Sequence, residues 1–218
     1  MSASGPASAS GSSVPSVLGL APVIPVVVLE DAADAVPLAR ALVAGGLSAI
    51  EVTLRTPAAL DAIRAIADEV PDAVVGAGTL LNPEQVAAAR AAGARFLVSP
   101  GWSSRLLGGL RDSGLPFLPG VSTPSEVVTL LDEGVTELKF FPAEAAGGAA
   151  WLKSLAAPLP QARFCPTGGI TLASAPKYLA LPNVGCVGGT WMLPADALAT
   201  KDWARIERLA HEAAALRD

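Results

Sequence analysis

The feature that most limits the fold is a repeat of element type, not of residues. Short runs of β-branched and other apolar residues begin at Val23, Ala49, Val74, Phe96, Pro116, Glu137, Arg163 and Gly185. Each is followed by a turn signal and then by an alanine-rich stretch with helical character. The step from one start to the next is 20 to 26 residues, the length of one strand plus one helix. Strands that alternate with helices at this spacing form a parallel sheet with helices on its faces. The expected strands are 23–28, 49–54, 74–78, 96–98, 116–119, 137–140, 163–166 and 185–188. Eight such units predict an α/β fold of the (βα)8 barrel type in a single domain, at the compact end of its size range. An open doubly wound sheet usually carries a glycine-rich turn after its first strand. Here the first strand runs into Glu30-Asp31 with no such turn.

Capping chemistry supports the register. Thr56-Pro57, Asn82-Pro83 and Thr123-Pro124 each set a capping side chain before a proline suited to a first helical turn. Thr123 to Glu126 fits a capping box, and Asn82 to Gln85 fits it more loosely. Gly45-Gly46, Gly93, Gly114 and Gly134 stand where helices should stop. The barrel is expected to span 14–218. Residues 1–13, rich in Ser, Ala and Gly, are expected to be a low-complexity, disordered tail.

Composition removes several classes of function. Of 218 residues, 51% are hydrophobic and 16% charged, so the chain can bury a large core. The apolar runs are too short and too proline-broken for a membrane span. A net charge of −5 argues against a general nucleic-acid binder. Two cysteines and one histidine do not furnish the four ligands of a structural zinc site. Carboxylate-bound magnesium stays open. The tail has neither the basic nor the apolar region of a secretory signal, and the expected setting is the cytoplasm.

In a barrel the chemistry sits at the C-terminal ends of the strands. Alternation along 49–55 puts Glu51, Thr53 and Arg55 on one face and Ile50, Val52 and Leu54 on the other. The apolar set suits the helix layer, so the polar set should face the barrel axis. A structural Glu51–Arg55 ion pair is the alternative to a catalytic role. Along 137–141, Leu138 and Phe140 suit the helix layer and Lys139 points inward with Glu137 and Phe141. Lys139 alone of the four lysines interrupts an apolar strand. Burial disfavours a charged amine, and a neutral amine is the nucleophile that forms Schiff bases with carbonyl compounds. The alternative is a lysine paired with Glu137 or Glu51 to stabilise the barrel. The last two strands end in Thr167-Gly168-Gly169 and Gly188-Gly189-Thr190, and phosphate sites in this fold often use those two loops. Together these residues describe a cavity for a phosphorylated carbonyl compound.

At these residues the chain resembles a known family. The segments GLSAIEVTLRT, VVGAGTLLNPEQ, FLVSPG, LPGVSTPSE, ELKFFPAEAAGG, RFCPTGGI and VGGTWMLPADAL are similar to those of the 2-dehydro-3-deoxy-6-phosphogluconate (KDPG) and 4-hydroxy-2-oxoglutarate aldolases. The resemblance implies a class I aldolase on a (βα)8 barrel, with no metal and no cofactor, assembled as a homotrimer. It implies cleavage of KDPG to pyruvate and glyceraldehyde 3-phosphate, and of 4-hydroxy-2-oxoglutarate to pyruvate and glyoxylate. It matches Lys139 to the Schiff-base lysine and Glu51 to the general acid/base. Arg55 and Thr79 match the grip on the pyruvate carboxylate, and Phe141 an aromatic wall. Thr167 matches the position that reads the C4 hydroxyl. Gly168, Gly169, Gly188, Gly189 and Thr190 match the phosphate loops. Ala146 and Thr190 depart from the family's usual Asn and Ser, and Thr190 keeps the hydroxyl. Two rival readings are another phosphate-binding barrel enzyme, such as a sugar-phosphate epimerase, whose metal-dependent forms need histidine ligands, and a non-catalytic sugar-phosphate-binding barrel. The lone His211 is expected on the surface of the last helix.

Overall fold

The structure, a computed structural model, describes residues 16–217, so the expected tail 1–13 lies outside the described residues. The strands are β1 (Val23–Val27), β2 (Ala49–Thr53), β3 (Val74–Gly78), β4 (Leu97–Val98), β5 (Phe117–Leu118), β6 (Gly120–Val121), β7 (Glu137–Phe140), β8 (Arg163–Pro166) and β9 (Val187–Gly189). All pairings are parallel. One run is ordered β5-β4-β3-β2-β1-β9 and the other β6-β7-β8. β5 and β6 are two pieces of one strand, separated by Pro119, which has no N–H for the ladder. The Pro119 carbonyl still accepts from Lys139 N at 2.9 Å. A bridge between Thr167 and Gly188 joins β8 to β9 and closes the ring. The eight predicted strands are therefore present in a closed barrel, with the 116–119 strand split and the last strand starting two residues later than expected.

Around the ring run α1 (Ala35–Ala44), α2 (Ala59–Glu69), α3 (Pro83–Ala91), α4 (Ser104–Asp112), α5 (Pro124–Asp132), α6 (Gly148–Leu155), α7 (Ala175–Leu179), α8 (Ala195–Ala199) and α9 (Trp203–Ala214). Asn82 caps α3 and Thr123 caps α5 in a complete capping box. Thr56 does not cap α2, which starts three residues later. Its hydroxyl donates instead to the carbonyl of Leu29, two residues beyond β1.

Alternation divides the apolar residues into two cores. The outer core, between strands and helices, takes Val27, Ile50, Val52, Val75, Leu138, Phe140 and Phe164. The inner core lies within the barrel and takes Ile24, Ala49, Phe96, Val98, Leu118, Cys165 and Cys186, with Val17, Leu18 and Ala21 from the segment before β1. That segment packs against the N-terminal half of the barrel, and Ser16 donates a hydrogen bond to Glu137 at 2.5 Å. The inner apolar plug ends where β2 reaches Glu51 and β7 reaches Lys139. The barrel interior above it is polar.

Candidate active site

β2 and β7 deliver the two central groups. Their outward residues, Ile50, Val52, Leu138 and Phe140, are all buried in the helix-facing core. That burial fixes strand rotation and forces Glu51 and Lys139 inward. Phe140 is further held by a parallel stack on Trp151 of α6, with ring centroids 4.3 Å apart. Lys139 Nζ lies 3.2 Å from Glu51 Oε1, and the two side chains are 7% and 4% exposed. Glu137, the other carboxylate on the inward face of β7, is engaged by Ser16 at the far end of the barrel. Of the two possible partners for Lys139, the structure selects Glu51. The Phe141 ring stands 5.4 Å from Nζ, within range of a cation–π contact.

The surrounding positions make room for this pair. Gly78 is the β3 neighbour of Thr53 in register. A Cβ added to Gly78 would fall 2.1 Å from Glu51 Oε1, so the carboxylate occupies the space a side chain would take. Gly188 does the same for Thr167, whose Oγ1 would lie 2.3 Å from an added Cβ. Thr167 is buried beside Cys165, whose sulfur is 3.8 Å from the Thr167 hydroxyl. Thr53, expected on the same inward face, is buried and spends its hydroxyl on the Val27 carbonyl at 3.0 Å.

Thr79 follows β3 with φ of 60°, a left-handed conformation that a β-branched residue adopts only under steric strain. Such strain clusters at ligand sites. It places Thr79, half-buried, at the C-terminal rim beside the end of β2. Arg55 lies in the turn just beyond β2, not within the strand, and it is exposed. Among the described residues it makes no ion pair, so the structural Glu51–Arg55 pair is not formed. An exposed guanidinium at the rim is free to grip a carboxylate with two oxygens. Gly168 and Gly169 form a turn with φ of 106° and 79°, and Gly188 and Gly189 are buried in β9. Thr190 is exposed at the end of that strand. The predicted site residues thus lie within β2, β7 and β9 or just beyond the C-terminal ends of β2, β3, β7, β8 and β9.

Several groups fall outside the site. His211 is exposed in the last turn of α9. Among the described residues no cluster of three His, Cys, Asp or Glu is placed to hold a metal ion, and no helix is long and apolar enough to cross a membrane. Sequence reading passed over Glu144 and Tyr178, which share a hydrogen bond across 34 residues of chain with no local signal for it.

Comparison with known proteins places the chain as a whole. The family model described as KDPG and KHG aldolase matches residues 14–209. The KHG/KDPG aldolase of Escherichia coli (strain K12) is 54% identical over 201 residues, covering 92% of this chain and 94% of that one. A crystal structure of the 2-keto-3-deoxy-6-phosphogluconate aldolase of Zymomonas mobilis ZM4 with 3-phosphoglycerate superposes with a TM-score of 0.87 at 53% identity, covering 92% and 94% of the two chains. The KDPG aldolase of Legionella pneumophila, with pyruvate captured as a covalent carbinolamine intermediate, superposes with a TM-score of 0.88 at 45% identity, covering 91% and 96%. The family model over residues 14–209, with relatives more than half identical along nearly the whole chain, makes this protein a member of the KDPG and KHG aldolase family.

Proposed function

We propose that this protein is a class I aldolase that cleaves KDPG to pyruvate and glyceraldehyde 3-phosphate. The observation that carries the reading is the Lys139–Glu51 pair, 3.2 Å apart and buried. The amine must shed its proton before it attacks, and Glu51 is the base within reach. Lys139 Nζ adds to the C2 ketone, giving a carbinolamine, and Glu51 returns its proton to the departing hydroxyl, so that water leaves, the iminium ion forms and Glu51 is a carboxylate again. Glu51 takes the C4 hydroxyl proton, the C3–C4 bond breaks, and its electron pair flows into the iminium to give an enamine. Glyceraldehyde 3-phosphate leaves. A proton returns to C3, water hydrolyses the iminium, and pyruvate departs with the lysine restored. General acid–base help of this kind contributes about 10²–10⁴-fold.

Arg55 and Thr79 hold the substrate carboxylate in this reading, and Phe141 forms one wall. Thr167 reads the C4 hydroxyl. The backbone at Gly168, Gly169, Gly188 and Gly189, with the Thr190 hydroxyl, receives the phosphate. The same machinery cleaves 4-hydroxy-2-oxoglutarate to pyruvate and glyoxylate, which needs no phosphate loop. The reading carries a cytoplasmic homotrimer with it. The trimer rests on the family resemblance, and sedimentation analysis tests it.

The deciding experiment is borohydride trapping with pyruvate, followed by peptide mass spectrometry. A reduced pyruvyl adduct on the peptide containing Lys139 is expected. Unmodified protein that nevertheless binds pyruvate would instead mark a non-catalytic binding barrel. An adduct on Lys153, Lys177 or Lys201 would remove Lys139 from the role.

A further inference from the structure

The loop between β7 and α6 carries a carboxylate that no step above uses. Glu144 Oε1 accepts a hydrogen bond from the Tyr178 hydroxyl at 2.8 Å, and Tyr178, on α7, is 1% exposed. The backbone of the same loop continues the β7–β8 ladder past the strands. Ala143 N–H donates to the Thr167 carbonyl at 2.8 Å, and Glu144 N–H donates to the Gly168 carbonyl at 3.1 Å. Gly169 rests on the stem of the same side chain, since a Cβ added to it would lie 2.9 Å from Glu144 Cβ and Cγ. The left-handed turn at Gly168 and Gly169 is therefore seated on Glu144 through one hydrogen bond and one close contact.

The carboxylate itself turns to another part of the fold. A Cβ placed on Gly148, the first residue of α6, would lie 3.6 Å from Glu144 Oε2 and 3.4 Å from the Tyr178 hydroxyl. The start of a helix favours a negative charge. A hydroxyl that donates to an ionised carboxylate forms a stronger and more directional bond than a neutral pair. Burial first, and then the hydrogen bond and charge of Glu144, raise the Tyr178 pKa above its ordinary value, so the hydroxyl stays a donor at working pH. A carboxylate loose beside an anion-binding turn would repel a phosphate dianion. One held by Tyr178 and the start of α6 keeps its stem under the turn and its charge on the far side.

We propose that Glu144 and Tyr178 are positioning residues that set the Gly168–Gly169 turn for the phosphate of the substrate and so favour phosphorylated over unphosphorylated substrates. This rests on the assignment of that turn to phosphate in the reading above. The test is a comparison of kcat and KM for KDPG and for 4-hydroxy-2-oxoglutarate in wild type, Tyr178→Phe, Glu144→Ala and Glu144→Gln. In Tyr178→Phe and Glu144→Ala the KM for KDPG should rise about tenfold, the scale of one lost hydrogen bond to an ionised group, with kcat little changed. The KM for 4-hydroxy-2-oxoglutarate should stay where it was. Glu144→Gln keeps the stem under the turn and an acceptor for Tyr178 but gives up the charge, so its KM for KDPG should rise by less than in Glu144→Ala, with 4-hydroxy-2-oxoglutarate unaffected. Equal rises on both substrates, or no rise on either, would overturn the proposal while wild-type activity leaves the functional reading standing. Wild type unable to cleave either substrate would overturn that reading first, and this one with it. Should Tyr178→Phe fail to fold by thermal melting, Glu144→Ala at an exposed residue carries the comparison.

Discussion

Lys139 and Glu51 are 88 residues apart in the chain, and inside the barrel Nζ lies 3.2 Å from Oε1. Each is the only charged partner the other has among the described residues, and both sit just above the apolar floor of the barrel. Removing either leaves the other buried and uncompensated, which in proteins costs about 3–5 kcal/mol. Lys139→Ala should therefore melt at lower temperature, form no borohydride adduct with pyruvate and show no cleavage. Glu51→Gln should keep the barrel, as judged by circular dichroism, while kcat falls by about 10²–10⁴-fold. Even a tenth of wild-type cleavage in Lys139→Ala, or undiminished turnover in Glu51→Gln, would sink the covalent scheme.

Gly78 gives a subtler handle on the same pair. Its Cα lies under the Glu51 carboxylate, and a methyl group there would overlap Oε1 at 2.1 Å. Gly78→Ala adds no charge and removes none. It should displace the carboxylate from Lys139 and lower kcat by about 10²-fold or more, since small misplacements of reacting groups carry such losses. Far-ultraviolet circular dichroism should remain that of the wild type. Full activity in Gly78→Ala would show that the Glu51 side chain finds an equivalent position elsewhere.

The main lines of this site are legible from sequence because they depend on period-2 alternation. Ile50, Val52, Leu138 and Phe140 mark one face of their strands, and that alone turns Glu51 and Lys139 inward. Alternation does not say where a strand ends. It places Arg55 on the inward face of β2, whereas the strand stops at Thr53 and Arg55 stands exposed in the turn. Capping patterns have a similar limit. The hydroxyl of Thr56 finds a distant carbonyl at Leu29 and abandons α2, while Thr123 has no such rival and forms its full box. The left-handed backbone at Thr79 runs against the habits of its residue type and could not be read from them. The Glu144–Tyr178 bond joins the loop after β7 to α7, 34 residues further along the chain, and no local pattern announces it.

Thr167 tests stereochemistry apart from chemistry. Its hydroxyl is buried against Gly188, with the Cys165 sulfur 3.8 Å away. In the proposed reading that hydroxyl meets the substrate C4 hydroxyl. Thr167→Val preserves shape and removes the hydrogen bond. The ratio of kcat/KM between KDPG and its C4 epimer should fall by about tenfold, as expected for one lost hydrogen bond. An unaltered epimer ratio would take Thr167 out of the recognition of C4.

Phe140 ties the catalytic strand to its helix. It is 0% exposed, and its ring stacks on Trp151 at an interplanar angle of 3°. Trp151 in turn meets the Phe164 ring of β8 edge-on at 6.2 Å. Phe140→Ala should cost about 3–5 kcal/mol in chemical denaturation, from lost burial plus the cavity left behind. Because Lys139 is its chain neighbour, kcat should fall as well. A loss below about 1 kcal/mol would mean that α6 closes the gap by itself.

Tyr178 is the one tyrosine in the chain, so the tyrosinate absorbance band reports it alone. Burial and the Glu144 carboxylate raise its folded pKa above the ordinary value of about 10. The neutral hydroxyl is the form that the fold stabilises. Its contribution is fully present below the unfolded pKa near 10, and is lost as pH rises through the higher folded pKa. A spectrophotometric titration of native protein should show the tyrosinate band rising only above the ordinary range, or appearing abruptly with alkaline unfolding. In denaturant the midpoint should return to about 10. Glu144→Ala should bring the native midpoint down part of the way, because desolvation, the larger cause, persists without the carboxylate. A native midpoint already at the ordinary value would mean that the hydroxyl is open to water and that Glu144 is not held as the structure has it.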